Sequence, residues 1–309
     1  MSTVAAAVVP LTLLIALGFA LRRGTFLPEP FWPGLDRLNY WVLFPALIFV
    51  SLATARGGLE GGGRVALAVW GGLAVVATLA LLGRRLVAAD GPAFTSVFQG
   101  SVRFNSFAAF AVVPVLFPGA AGLTALLVAI TVPVVNVACV TVLARFAGRH
   151  PLRWSRVVRS VAGNPLILAS LAGIAARTVA LPLGPFEDAL GLLGQASLGT
   201  GLLSVGATLR FRGVAAQVRP IAAASVLKLV ALPLATWAFA LALGLPPEQL
   251  APLLVFQALP TASAAFVLAR AMGGDERLMA SILAVQTVLA LGWLPIAFAM
   301  ARGVLLATP

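Results

Sequence analysis

Two long apolar segments of the chain each contain a cluster of polar residues. In residues 92–116 the cluster reads Gln99-Gly-Ser-Val-Arg-Phe-Asn-Ser106, and in residues 249–270 it reads Gln257-Ala-Leu-Pro-Thr-Ala-Ser263. Proline removes a backbone donor and clashes with the preceding turn, so we expect Pro260 to break its helix. A broken helix exposes free N–H groups that carry a partial positive charge. Two such breaks facing each other would bind an anion or a polar ligand.

Buried cations strengthen this interpretation. Arg103 lies near the middle of its segment, where an uncompensated arginine costs at least about 2.5 kcal/mol. No Asp or Glu lies at comparable depth, so Arg103 either bonds the free carbonyls of a broken helix or contacts an anion. Lys228 is the only lysine and is interpreted similarly, with snorkelling to the inner surface as the alternative. The candidate binding residues are Gln99, Arg103, Asn105, Gln257, Pro260, Thr261, Ser263 and Lys228.

Further polar residues could extend the same cavity, namely Asn136, Gln286 and Thr287. Hydrogen bonding between helices is the alternative role for each of them. Pro114 and Pro260 are the candidate helix breaks. The alternative to two breaks is a pair of kinked helices whose polar side chains bond only their neighbours.

The elements that position these residues are membrane helices. The chain is 61% hydrophobic and only 10% charged, with a mean hydropathy of +1.05, whereas soluble domains carry about a quarter charged residues. The apolar runs are near the roughly 20 residues that span a bilayer and are too long for barrel strands. The sequence therefore predicts an all-α polytopic membrane protein with ten spans, at 3–21, 34–54, 65–83, 92–116, 120–144, 162–181, 188–208, 219–243, 249–270 and 278–301.

The distribution of arginine orients these spans. With the N-terminus outside, the outside loops and C-terminus hold four arginines, which are Arg56, Arg64, Arg177 and Arg302. The inside loops hold fourteen, which are Arg22, Arg23, Arg84, Arg85, Arg145, Arg149, Arg153, Arg156, Arg159, Arg210, Arg212, Arg219, Arg270 and Arg277. Because cytoplasmic loops are enriched in arginine and lysine, both termini are expected outside.

The two halves of the chain resemble each other. Pro10-Leu11 recurs as Pro165-Leu166, and Val97-Phe98-Gln99 recurs as Val255-Phe256-Gln257. Each half has five predicted spans, an odd number, so the halves insert with opposite orientation. Inverted repeats are typical of secondary transporters. The expected organisation is a first repeat in 1–147, a basic cytoplasmic linker in 148–161 and a second repeat in 162–309.

Other classes of function are disfavoured by the composition. The single cysteine, Cys139, excludes an intrachain disulfide framework and a thiolate zinc cluster, and no metal site is expected. The net charge of +12 comes from arginines between apolar segments rather than on one soluble face, so no nucleic-acid partner is expected. With one His, one Cys and no paired mid-membrane carboxylates, the usual catalytic sets of an enzyme are missing.

The order of several motifs resembles the auxin efflux carrier family as found in bacteria. The motifs are Leu38-Asn-Tyr-Trp-Val-Leu-Phe-Pro-Ala-Leu47, Arg103-Phe-Asn105, Asn164-Pro-Leu166, Gly206-Ala-Thr-Leu209 and Leu259-Pro-Thr-Ala-Ser-Ala-Ala-Phe-Val-Leu-Ala269. The resemblance implies two inverted five-helix repeats with crossing, broken helices four and nine, as in bile-acid sodium symporters. It also implies a scaffold of spans one, two, six and seven and a transport core of spans three to five and eight to ten. Many members carry a proline where this chain has Val112, and here the proline is Pro114.

The function implied is transport of a small organic anion, such as malate, malonate or an auxin-like carboxylate, across the bacterial inner membrane by alternating access. A sodium-coupled bile-acid-type symporter and, less favoured, a channel are the alternatives. We expect the lipid bilayer and the anion as partners and no cofactor. Coupling to H⁺ or Na⁺, and a homodimer, are left open by the sequence.

Overall fold

The computed structural model describes residues 3–55, 61–87, 90–148, 162–211 and 213–307, together with residues 155 and 159. This part of the chain is helical and contains no strand. Its helices are α1 (Thr3–Arg23), α2 (Phe31–Ala53), α3 (Gly62–Leu82), α4 (Gly91–Val102), α5 (Ser106–Leu116), α6 (Ala121–Phe146), α7 (Pro165–Thr178), α8 (Pro185–Thr208), α9 (Val214–Ala242), α10 (Pro247–Gln257), α11 (Ala264–Met272) and α12 (Glu276–Ala307), with a single turn at Arg84–Val87. Most of the expected linker 148–161 lies outside the described residues.

Seven of these helices are long and apolar enough to cross a bilayer, namely α1, α2, α3, α6, α8, α9 and α12. The expected span 162–181 corresponds to the shorter apolar helix α7. The expected spans 92–116 and 249–270 each fall on two shorter helices, α4 with α5 and α10 with α11. The protein is therefore an all-helical, multi-pass membrane protein, while the count of ten spans and the inverted repeat stay predictions.

The break expected at Pro114 is wrong. Pro114 lies inside α5, which continues to Leu116, and the interruption of the helix lies earlier, at residues 103–105. A proline removes only its own N–H, and membrane helices tolerate this through small adjustments of the neighbouring backbone. Pro114 therefore does not end its helix.

Prolines do reshape two of the long helices. The π-helical turn Asn39–Leu43 in α2 is followed by Pro45, and the π-helical turn Leu227–Ala231 in α9 is followed by Pro233. The proline ring would clash with the carbonyl four residues earlier, and a wider turn relieves that clash. Each helix consequently continues through a π-turn instead of ending.

The chain divides into two compact units. Unit 1 comprises Met1–Gly62, Ser106–Val132 and Val158–Thr208, and unit 2 comprises Gly63–Asn105, Pro133–Val157 and Leu209–Pro309. Unit 1 contains α1, α2, α7 and α8, the helices expected for a scaffold, and also residues 106–132, which were expected in the core.

Small residues allow close helix packing within unit 1. A Cβ at Gly18 would overlap the backbone of Leu203, and one at Gly206 would overlap the backbone of Ile15. Helices α1 and α8 therefore approach each other at both positions with almost no side chain between them. Lipid tails provide no hydrophobic drive for helix association, so such close packing is a main source of cohesion.

Helix α12 is the central element of unit 2, where it contacts α4, α9, α10 and α11. Two helices of this unit begin at acidic capping residues. Asp90 accepts a bond from Ala93 N at 2.8 Å and begins α4, and Asp275 accepts bonds from Arg277 N and Leu278 N at 3.0 Å and begins α12. Asp is a preferred N-cap residue because its oxygen satisfies N–H groups that have no partner in the helix. These caps fix the start of α4, which carries the first polar cluster, and the start of α12, which carries Gln286.

Candidate functional site

Two helix interruptions meet within unit 2. Helix α4 ends at Val102, and Arg103 is extended with φ −75° and ψ 157°. Helix α10 ends at Gln257, and the connection that contains Pro260 leads to α11 at Ala264. Pro260 cannot donate a backbone hydrogen bond and disfavours helix at the residue before it, which accounts for the second interruption.

A backbone hydrogen bond joins the two connections. The N–H of Asn105 donates to the carbonyl oxygen of Pro260 at 2.8 Å. Next to this bond the rings of Phe104 and Phe256 pack with their centroids 4.7 Å apart. Backbone groups released by one broken helix are therefore used by the other, as burial in an apolar interior requires.

Gln286 of α12 provides a second link between the interruptions. Its Oε1 accepts a hydrogen bond from Thr261 N at 3.0 Å, and its Nε2 donates to the carbonyl oxygen of Gly100 at 2.9 Å. The Thr261 N–H belongs to the second interruption, and the Gly100 carbonyl lies in the last turn of α4, where the helix no longer supplies a donor. One fully buried amide thus satisfies an unpaired donor and an unpaired acceptor.

Lys228 contacts the C-terminal end of α10, the helix that precedes the second interruption. Its Nζ donates to the carbonyl oxygen of Gln257, the last residue of α10, at 3.2 Å. The C-terminal carbonyls of a helix carry a partial negative charge that stabilises a cation. The Gln257 side chain in turn donates from Nε2 to Oγ1 of Thr236 at 3.0 Å. Carbonyl bonding, one of the two roles expected for Arg103, is therefore the role of Lys228 here.

Arg103 is 8% exposed and bonds an amide instead. Its Nη2 donates to Oδ1 of Asn136 on α6 at 3.0 Å, and its side chain lies close to the Cys139 thiol. The ion pairs between described side chains are Arg22 with Glu29 and Arg270 with Glu276, all partly exposed. Neither Arg103 nor Lys228 has a carboxylate partner among the described residues.

Several buried polar atoms near the interruptions have no hydrogen-bond partner among the described residues. They are Nε2 and Oε1 of Gln99, Nε of Arg103 and Oγ1 of Thr261. Gln99 and Thr261 are fully buried. Burying such a group without a partner costs about 1–3 kcal/mol, so these atoms are the natural contacts for a polar ligand.

The remaining expected residues differ in their surroundings. Thr287 is buried but donates to the carbonyl of Leu283 in its own helix at 2.7 Å. Ser263 is half-buried at the start of α11 and makes no capping bond. Pro114 belongs to unit 1 and not to this cluster. The described residues contain no group of three or more His, Cys, Asp or Glu side chains that could hold a metal ion.

Sequence reasoning missed a set of polar contacts in unit 1. Ser204 of α8 donates to Asp36 of α2, and one turn away Thr200 lies 3.0 Å from Oδ1 of Asn39. Asp36 and Asn39 are three residues apart on α2, and Thr200 and Ser204 are four residues apart on α8, so each pair shares one helix face. A search for polar pairs at this spacing on two helices could have found them.

A comparison with family models adds to this geometry. Residues 150–298 match the membrane transport protein family. The matched domain is that of the auxin efflux carrier family, and it covers slightly less than half of the chain. It contains α7 to α11 and most of α12, including the second interruption, Lys228 and Gln286. No curated protein matches the chain.

The membrane transport domain and the seven long apolar helices together indicate a multi-pass membrane transporter. The family is one of transporters, which argues against an enzyme. The first interruption, with Gln99 and Arg103, lies outside the matched residues but joins the matched part through the Asn105–Pro260 and Gly100–Gln286 bonds.

Proposed function

We propose that the protein is a secondary transporter that moves a small organic anion, a carboxylate, across the cytoplasmic membrane by alternating access. The observation that carries the proposal is the pair of buried cations, Arg103 and Lys228, without a carboxylate partner among the described residues. A buried charge is normally paired, and removal of its partner is strongly destabilising. A bound carboxylate would supply the missing negative charge.

The unpartnered atoms around Arg103 support the same ligand class. Arg103 Nε and Gln99 Nε2 are donors, and Thr261 Oγ1 can donate or accept. A carboxylate has two acceptor oxygens, and a bidentate contact with a guanidinium is its strongest pairing. Gln99 Oε1 would accept from a hydroxyl group of the same ligand, as malate could provide.

The placement of these groups supports a carrier. All candidate binding residues lie in unit 2, and all except Lys228 lie in or within one turn of the interruptions of membrane helices. Such discontinuous helices form the substrate sites of many secondary transporters. In the proposed arrangement both chain termini face outside, and the site faces each side of the membrane in turn. A ten-span inverted repeat is part of this proposal.

The test is substrate-evoked current from purified protein in proteoliposomes on a solid-supported membrane. The panel contains malate, malonate, indole-3-acetate and a bile acid, each with and without sodium, and labelled uptake detects electroneutral transport. We expect saturable transport of at least one carboxylate, at carrier and not channel rates. Sodium-dependent transport of the bile acid alone would favour the symporter alternative, and no transport of any anion would contradict the proposal.

Arg103→Ala is the variant that locates the site, and Arg302→Ala is its matched control because Arg302 is exposed at the end of α12. We expect at least about a tenfold loss of transport in Arg103→Ala, equivalent to roughly 1.4 kcal/mol. Both variants must elute as folded protein in detergent. Full transport by folded Arg103→Ala would remove Arg103 from the site.

A further inference from the structure

Lys228 is distinguished from the other cations by residue type as well as by place. It is the only lysine among the 21 lysine and arginine residues of the chain. It is 0% exposed and lies in the π-helical turn Leu227–Ala231 of α9. Turns of this kind occur frequently at functional sites.

The surroundings of Lys228 offer it a single neutral acceptor in the described structure, the Gln257 carbonyl oxygen at 3.2 Å. Its turn packs against α4 and α12, and its helix, which also carries Arg219, packs against α10 and against the single turn that carries Arg84 and Arg85. Helix α4 has no charged residue, and Arg103 follows its end. The titratable or charged residues of α10 and α12 lie near their ends, and they are Glu248, Glu276, Arg277 and Arg302.

Arginine and lysine differ in one respect that matters here. A guanidinium stays protonated in proteins, whereas an amine can release its proton and still donate a hydrogen bond. The neutral amine could therefore keep its bond to the Gln257 carbonyl. The ammonium form lacks a counter-charge in the described structure, and a bound carboxylate would provide one.

We propose that Lys228 couples transport to protons by carrying one proton with each anion. The inference rests on the function proposed above. On the side where the anion binds, the Lys228 amine takes a proton from water and becomes an ammonium ion. On the side where the anion leaves, the N–H bond breaks, the proton returns to water and the electron pair stays on Nζ. The anion and about one proton therefore cross together.

A fixed helix cap is the competing role for Lys228. In that role the ammonium would remain charged and would only stabilise the carbonyl end of α10. Lys228→Arg separates the two roles, since arginine can cap the helix but cannot release a proton. A fixed cap predicts unchanged proton movement in this variant, whereas coupling predicts its loss.

The first measurement uses the wild-type protein and the uniqueness of its lysine. Protein labelled with ¹³C at the lysine ε-carbon gives one side-chain NMR resonance in detergent micelles. Malate, or the panel acid with the highest uptake, is added at constant pH, with sodium sulfate as the control salt. We expect the resonance to move from the amine to the ammonium position with the acid only. An unchanged protonation state, at acid concentrations that saturate binding, would overturn the proposal.

The second measurement counts protons in proteoliposomes that contain a pH-sensitive dye, together with labelled uptake of the same acid. The wild type should move about one proton per anion. The rate of proton movement in Lys228→Arg should be at least about tenfold lower than in the wild type, while the variant still binds the acid. Wild-type uptake without protons, or proton movement that persists in Lys228→Arg, would overturn the role of Lys228 alone. No uptake of any acid by the wild type would instead contradict the proposed function, and the coupling with it. If Lys228→Arg does not fold, the NMR resonance of the wild-type lysine distinguishes proton coupling from a fixed helix cap.

Discussion

Buried and half-buried charged groups have different hydrogen-bond partners in units 1 and 2. In unit 1, α1, α2, α7 and α8 are each continuous, and Asp36 of α2 has a serine partner, Ser204 of α8. In unit 2 two helix interruptions meet, and the buried cations Arg103 and Lys228 contact neutral protein groups, the Asn136 amide and the Gln257 carbonyl, and have no carboxylate partner among the described residues.

Under the proposed function, this difference would assign cohesion to unit 1 and ligand binding to unit 2. Close contacts at Gly18 and Gly206 hold α1 against α8 and leave no room for a ligand between them. Buried polar atoms without a partner among the described residues occur in both units, for example at Ser197 in unit 1. Those of Gln99 and Thr261 in unit 2 lie at or next to helix interruptions. A continuous membrane helix satisfies its own backbone, so interruptions persist where other groups replace those bonds.

The largest effect on this comparison is expected from Gln286→Leu. The change leaves the Thr261 N–H and the Gly100 carbonyl buried without partners, and each costs about 1–3 kcal/mol. We expect the free energy of unfolding to fall by about 2–6 kcal/mol, measured in detergent micelles. Gln195→Leu is the control, because Gln195 is exposed on α8. Equal stability of the two variants would show that Gln286 does not hold the interruptions together.

The next largest effect concerns the close contact in unit 1. In Gly206→Ala the new Cβ meets the backbone of Ile15, which no rotamer change can relieve, so α1 and α8 must separate. We expect a loss of about 1–3 kcal/mol or more in the free energy of unfolding. Gly199→Ala lies in the same helix with open space around it and should not be destabilised. Similar melting temperatures for both variants would refute the close-packing account.

A smaller effect, with opposite consequences for stability and transport, is expected from Gln99→Met. This change removes buried polar atoms that have no partner among the described residues, so stability should be retained or rise by about 1 kcal/mol. Transport of the carboxylate should show at least about a tenfold increase in KM. Gln257→Met is the comparison variant, because loss of its bond to Thr236 should reduce stability. Normal KM in Gln99→Met would exclude Gln99 from binding.

The smallest effect is expected from Thr200→Val in unit 1. It removes the contact with Asn39 while keeping the side-chain shape, and should cost about 1 kcal/mol with unchanged transport. Thr54→Val provides the control, since Thr54 is exposed. A pronounced loss of transport by stable Thr200→Val would mean that the polar contacts of unit 1 also serve binding.

Long-range contacts explain which parts of the structure could be predicted from the sequence. The long apolar runs predict helices such as α3 and α6, because hydropathy acts over a whole segment. A break in the span 92–116 was expected, but its position at 103–105 could not be predicted, since these residues include no proline and Asn105 bonds Pro260, over 150 residues away. The presence of a proline favoured a helix break at Pro114, but α5 continues through this residue.

The site was predictable in residue type but not in pairing. Polar residues in apolar segments identified Gln99, Arg103, Lys228 and Gln286 as special, since such residues are costly in a membrane. Their partners are set by how the helices pack. Thr236, which accepts from Gln257, carries no sequence feature that separates it from other threonines in membrane helices.

The most direct test of the central claim is an experimental structure of the protein with the transported acid bound. The account predicts density for the carboxylate in contact with Arg103, with Gln99 or Thr261 as a further contact. Density for the acid at another place, with no contact between the acid and Arg103, would contradict the claim that the buried cations of unit 2 bind the anion.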